Sequence, residues 1–306
     1  MKTALAGGVG LSASAWVPRS ALGYAAREPI TSTRLDNDLW LLQGAGGNVI
    51  ASGGPDGLLL VDGGAAERSA ELLQRVTADT GAHKVETLLN THWHWDHTGS
   101  NEALAKSGTA IVAHENTRLW LGTEIISKWQ GRTYAPRPAG ALPTQTFFYG
   151  SKRLTSGGGE IEYGYLPQAH TDGDIYVLFP KQNVLVAGDV VSGGGYPIAD
   201  YCTGGWLGGM VSALKTLIAR ADEQTRIVPG SGPLRTRADL QAQLDMCFTV
   251  LGRIGDSYYK GQTWQQLVDS KPTREFDTKW GDPDLFLKTA YEGAWLHITE
   301  IRRVTR

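Results

Sequence analysis

The chain has 306 residues, enough to bury one large core or two small ones, and its 41% hydrophobic and 20% charged content is that of an ordinary soluble globular protein. A formal net charge of −2 excludes the broad basic surface of a nucleic-acid binder. Two cysteines, Cys202 and Cys247, are too few for a disulfide framework and read as unpaired thiols. At the N-terminus, one lysine followed by small and apolar residues up to Val17, then Gly-Tyr-Ala before Ala26, reads as a secretory signal peptide over residues 1–26. Its n-region is thin, as expected if a twin-arginine motif lies upstream. The apolar run is shorter than the ~20 residues of a membrane span. Removal of the leader would leave a periplasmic or secreted protein with no stable membrane span, and a domain over residues 30–306.

In chain order, "NDLWLLQG" and "GNVIASGGPDGLLLVDGG" predict strands, the second pair joined at a Pro-Asp-Gly turn. "AAERSAELLQRVTADTG" has helical periodicity and stops at Gly81. "VETLLN" predicts a buried strand leading straight into "THWHWDHTGS", and "TAIVAHEN" another strand followed by a helix around "TRLWLG". Residues 122–147, with three prolines and little periodicity, predict a long connection able to fold over a site. "GEIEYGYLPQAH", "DIYVLFP" and "NVLVAGDVV" form a second strand set, followed by a glycine-rich loop and a helix through "LGGMVSALKTLIARA". "RIVPG" is a last short strand, and helices around 235–256, 263–270 and 283–303 complete the chain. Strand runs in both halves, each followed by helices, predict an α/β sandwich of two sheets with helices outside.

The chemistry concentrates in residues 91–100, which hold three of the chain's 7 histidines. If the strand continues into this stretch, His92, His94 and Asp96 project to one side and His97 turns off beside them. Imidazoles and a carboxylate so crowded suit zinc, iron or manganese. Two later strand ends offer partners: His170 in "QAHTDGDIYV" and Asp189 in "VLVAGDVV". A carboxylate ending an apolar strand needs a cation or a hydrogen-bond partner.

These motifs together, His-x-His-x-Asp-His, a later His-Thr-x-Gly-Asp and a Gly-Asp, resemble the metallo-β-lactamase fold superfamily over nearly all of residues 34–300. The resemblance implies an αββα four-layer sandwich of two mixed sheets. It implies a first metal on His92, His94 and His170, a second on Asp96 and His97, and Asp189 bridging them. The implied reaction is attack by metal-bound hydroxide on an ester, lactone, thioester or amide carbonyl, β-lactams included. Asp96 would orient the metal-bound water, and Asp62 and Thr171 would fix the imidazole tautomers. The implied partner is a small-molecule substrate.

One departure stands out. Where such proteins carry a late histidine, "IVPGSGPL" carries Ser231, a poor zinc ligand compared with imidazole. The second site is therefore expected to be weaker than the first, with Cys202 and His297 as remote candidates to fill it. An aspartate at 189, rather than cysteine or serine, resembles the lactonase, thioesterase and exported quinoprotein-relay hydrolases. Two other readings compete: a mononuclear-iron oxygenase of the persulfide-dioxygenase kind, and a non-catalytic metal-binding protein. Trp93, Trp95 and His114 are expected to line the substrate pocket, with Trp129 near it. Trp120 and Trp206 serve equally well as core residues, and His83 as a solvent-facing one.

Overall fold

The structure is a computed structural model that describes residues 29–54, 57–156 and 159–304. The expected leader lies outside the described residues. Strands β1 (Thr31–Asp36), β2 (Leu39–Gln43), β3 (Val49–Gly54) and β4 (Gly57–Val61) form an antiparallel meander. Helix α1 (Ser69–Thr80) then crosses to β5 (Val85–Leu89), which pairs parallel to β4. Gly81 ends α1 with a φ of 70°, the left-handed conformation that glycine adopts without a Cβ penalty. After α2 (Asn101–Lys106), β6 (Ala110–His114) and α3 (Glu115–Leu121), a small hairpin, β7 (Ile125–Ser127) and β8 (Arg132–Tyr134), precedes β9 (Gln145–Phe147). The first sheet has seven strands in the order β1-β2-β3-β4-β5-β6-β9.

The second sheet has five, β10 (Ser151–Ser156), β11 (Gly159–Leu166), β12 (Asp174–Phe179), β13 (Val184–Gly188) and β14 (Arg226–Pro229), in chain order. Helix α4 (Leu207–Ile218) separates β13 from β14. The chain then continues through α5 (Arg237–Tyr259), α6 (Trp264–Asp269), α7 (Asp277–Trp280) and α8 (Asp284–Val304).

Side-chain alternation divides the core into three layers. Leu39, Leu41, Leu59, Val61 and Leu89 of the first sheet meet Ile175, Val177, Phe179, Val184 and Val186 of the second. The opposite faces of the same strands, Leu42, Leu58, Leu60 and Leu88, pack on Leu72 and Val76 of α1 and Leu104 of α2. Outside the second sheet, Leu185 and Ile227 pack on α4, α5 and α8. The result is the expected four-layer αββα sandwich of two mixed sheets. Among the described residues no helix is long and apolar enough to cross a membrane.

Several elements differ from expectation. The connection over residues 122–147 contains the β7–β8 hairpin and ends in β9, which extends the first sheet parallel to β6. Strands β1 (TSTRLD) and β10 (SKRLTS) have no apolar alternation because each is an outermost strand, exposed along much of its length. The short α2 and α7 lack the two turns that make a periodicity legible.

Leu59 lies fully buried between the sheets. Leu59→Ala is expected to lower unfolding free energy by about 2–5 kcal/mol in urea titration; a loss under about 1 kcal/mol would show that the layer is not tightly packed there.

Candidate metal centre

The cluster forms where strands of both sheets end. Asp62 follows β4, residues 90–98 follow β5, His170 lies between β11 and β12, Asp189 follows β13, and Gly230 follows β14. The histidine loop is not an extended strand end. It turns, with the His97 and Thr98 amides donating to the His94 carbonyl, and that turn brings His97 back beside His92.

The outward nitrogen of each imidazole has an acceptor, and this fixes the direction of the other. Thr91 Oγ1 donates to Asp62 Oδ2 (2.8 Å), so it accepts from His92 Nδ1 (3.0 Å) and leaves His92 Nε2 pointing inward. His170 Nδ1 donates to the Ile198 carbonyl (2.7 Å), freeing Nε2. His94 is reversed: its Nε2 meets Asp200 Oδ2 (3.1 Å), so Nδ1 points inward, 3.0 Å from His170 Nε2. His97 Nδ1 donates to Asp62 Oδ2 (2.7 Å). Asp62 therefore orients two histidines at once, one directly and one through Thr91. It holds this place with a φ of 64°, a left-handed backbone that a non-glycine residue adopts at some cost.

Inward, Asp189 Oδ2 lies 3.6 Å from both His92 Nε2 and His170 Nε2. Its Oδ1 lies 3.7 Å from His97 Nε2, and Asp96 Oδ2 lies 4.0 Å from the same nitrogen. These gaps are too long for hydrogen bonds, and His92 Nε2 and His97 Nε2 are buried with no partner among the described residues. Ligand atoms of His92, His94, His170 and Asp189 all fall within 4.8 Å of one another, a spread that a single metal ion can bridge. Imidazole nitrogens with a carboxylate are a donor set for zinc, iron or manganese. The residues present thus fit a metal ion, and His97 with Asp96 forms an adjoining half that shares Asp189.

The charges agree. Burial and the neighbouring His97 hold His92 well below the ordinary histidine range. Burial opposes charge on His97, yet Asp62, Asp189 and Asp96 raise its pKa to about 10. Asp189 stays well below the usual carboxylate range despite burial, because His97, His92 and His170 surround it. Two glycines permit this density. A Cβ on Gly47 would stand 2.7 Å from His97 Cε1, and one on Gly230 would collide with Asp189 Oδ1.

The structure brings together His92, His94, Asp96, His97, His170 and Asp189, with Asp62 behind them. Other expectations change. Among the described residues Thr171 makes no hydrogen bond to an imidazole: its hydroxyl and amide both donate to Asp174, closing a turn beside His170. His114 is instead buried away from the cluster: it stacks on Tyr165 at 3.8 Å, donates to the Phe148 carbonyl and caps α3. Ser231 sits exposed on the loop after Gly230, and among the described residues no hydrogen bond ties its hydroxyl to the cluster. His297 stacks on Trp206 at 3.8 Å, and the Cys202 sulfur accepts from the Lys128 amide. Both cysteines are free.

Sequence reasoning missed Asp200. It is fully buried and receives Trp129 Nε1 (2.8 Å), Thr203 Oγ1 (2.7 Å) and the Cys202 amide (3.2 Å) besides His94. Burial would raise its pKa, but the contacts with His94 and Thr203 lower it, so it is ionised and holds the reversed tautomer of His94.

A family model described as the metallo-beta-lactamase superfamily matches residues 43–233. The chain belongs to the metallo-beta-lactamase superfamily. Within it, a metallo-beta-lactamase type 2 of Bacillus cereus is 22% identical over 225 residues, 71% of this chain and 82% of that protein. The alpha subunit of a 2,4-dinitroanisole O-demethylase of Nocardioides sp. (strain JS1661) is 26% identical over 171 residues, 55% of this chain. That match spans only 48% of the demethylase subunit. Among solved structures, a metallo-beta-lactamase from Pontibacter korlensis superposes with a TM-score of 0.58 at 21% identity, covering 72% of this chain and 99% of that one. The inverting sec-alkylsulfatase Pisa1 from Pseudomonas sp. gives 0.60 at 17%, covering 76% and 44%. At these identities the superpositions establish the superfamily fold.

Asp200→Ala should weaken metal binding about 10–100-fold in a chelator competition while the thermal transition persists. Affinity equal to the parent would show that His94 is held by something else.

Proposed function

We propose that the protein is a metal-dependent hydrolase acting on an ester, lactone, thioester or amide carbonyl, β-lactams included. The observation that carries this reading is the pair of buried, unpartnered nitrogens, His92 Nε2 and His97 Nε2, facing the two oxygens of Asp189. Buried polar atoms without partners are costly, and two that each face one oxygen of a shared carboxylate are best accounted for by cations.

His92, His94 and His170 would hold the tighter metal, zinc being the ion that suits them best, with Asp189 shared with a weaker position at Asp96 and His97. When bound, the metal supplies a Lewis acid that acidifies water and polarises the scissile carbonyl. The chain's own groups do the rest. Asp96 is partly exposed at the mouth of the cluster, where a carboxylate oxygen can accept a hydrogen bond from the attacking water and fix its direction. Asp62 and Asp200 hold the imidazoles in their inward-turned orientation. Weaker retention at the second position follows from Ser231, whose exposed hydroxyl replaces an imidazole. A relative named as a metallo-beta-lactamase supports hydrolytic use of this site, and the signal-like composition of residues 1–26 supports a periplasmic or secreted location.

The test is a panel of p-nitrophenyl acetate, a γ-lactone, a thioester and a chromogenic cephalosporin, alongside elemental analysis. Zinc-loaded protein should turn over at least one of them, and both chelation and Asp189→Asn should reduce that turnover on the order of 100-fold or more. Iron without zinc in the purified protein, or turnover indifferent to chelation and to Asp189→Asn, would contradict the assignment.

A further inference from the structure

A cavity of about 280 Å³ lies beside the metal loop, between that loop and the β7–β8 hairpin. Its inner wall is apolar: Trp93, Leu121 and Ile125 are buried, and Trp120 and Tyr134 pack against them. The loop that carries His94 and Asp96 supplies Trp93 and Trp95 to this wall, and the Trp93 ring lies 4.4 Å from that of His94. The volume falls just below the roughly 300–1,000 Å³ usual for small-molecule sites, which suits a body of one or two rings.

The outer wall carries charge of one dominant sign. Arg132 and Arg137 both line the cavity, and neither forms an ion pair among the described residues. Arg132 stacks over Tyr134 (4.6 Å) and Trp95 (5.6 Å). Stacking engages the face of a guanidinium and leaves its N–H donors free in the plane, the geometry that takes a carboxylate or sulfonate through two parallel bonds. The Arg137 amide donates to the Leu121 carbonyl (2.7 Å), and Pro136 and Pro138 limit the backbone on either side of it. Glu67 stands on the same rim and pairs with neither arginine.

We infer that this cavity binds an organic anion with a one- or two-ring apolar body, its rings against Trp93, Trp120 and Tyr134 and its acid group on Arg132 and Arg137. Resting on the hydrolase reading, it is the part of the site that selects substrate, favouring molecules that carry an acid group away from the scissile bond. An offset-stacked ring and a bidentate acid group fix two points of the ligand, enough to orient it relative to the neighbouring metal loop.

The test uses naphthalene-2-sulfonate, a weak metal ligand, titrated into the full chain and followed by tryptophan fluorescence and calorimetry, with and without zinc. Binding should be saturable in both states, at least ten-fold weaker for neutral 2-naphthalenemethanol, and lost for the cation 2-naphthylmethylammonium. Arg132→Ala, at an exposed position that leaves the fold intact, should weaken sulfonate binding at least ten-fold, and Arg132→Lys should fall between the two. Equal affinity for the neutral compound, tighter binding of the cation through Glu67, or an unchanged Arg132→Ala would overturn the inference. Because binding is read apart from turnover, a protein that binds the sulfonate but hydrolyses nothing retains the pocket and loses the hydrolase reading.

Discussion

Three imidazoles whose outward nitrogens are all engaged must turn their remaining lone pairs toward one another, and a folded chain tolerates that only around positive charge. His92, His94 and His170 are in this position, with Asp189 closing the ring. The outer acceptors do not stabilise the cluster by themselves. Asp62, Asp200 and the Ile198 carbonyl remove every alternative tautomer, so the cluster has one arrangement and that arrangement calls for a cation. The strained backbone at Asp62 and the glycines at 47 and 230 are consistent with a fold that gives up local comfort to keep this geometry.

The sandwich explains why the arrangement is available. The parallel pairs β4–β5 and β13–β14 bring four strand ends to one edge of the two sheets, and the inter-sheet core fixes their spacing. Residues far apart in sequence, 62, 97, 170 and 189, meet there without any long flexible segment having to find them. The β7–β8 hairpin adds what the sheets cannot. Trp129 beside this hairpin secures Asp200, and Arg132 and Tyr134 within it form the wall of the adjoining cavity. One connection therefore supports a metal ligand from behind and shapes a binding surface in front.

Much of this was legible in the chain. Alternating apolar strands, the Gly81 helix stop and the density of histidine in residues 91–100 each rest on local periodicity or local chemistry, which a sequence displays directly. The edge strands β1 and β10 were not legible, because each presses little more than Leu35 or Leu154 on the inter-sheet core and so shows no alternation. Thr171 and His114 sat at promising strand ends, yet their hydrogen bonds went to Asp174 and Phe148, partners that only tertiary structure reveals. Asp200 gave no signal either: a single aspartate in a glycine-rich loop looks like turn chemistry until His94 and Trp129 are seen on it.

The central claim is that one carboxylate, Asp189, serves two unequal metal positions. Calorimetric titration of metal-stripped protein with zinc measures this directly. The account predicts two binding events, a tight one that Asp96→Ala leaves in place and a weaker one that Asp96→Ala removes. Two equally tight events, or one event abolished by Asp96→Ala, would contradict it.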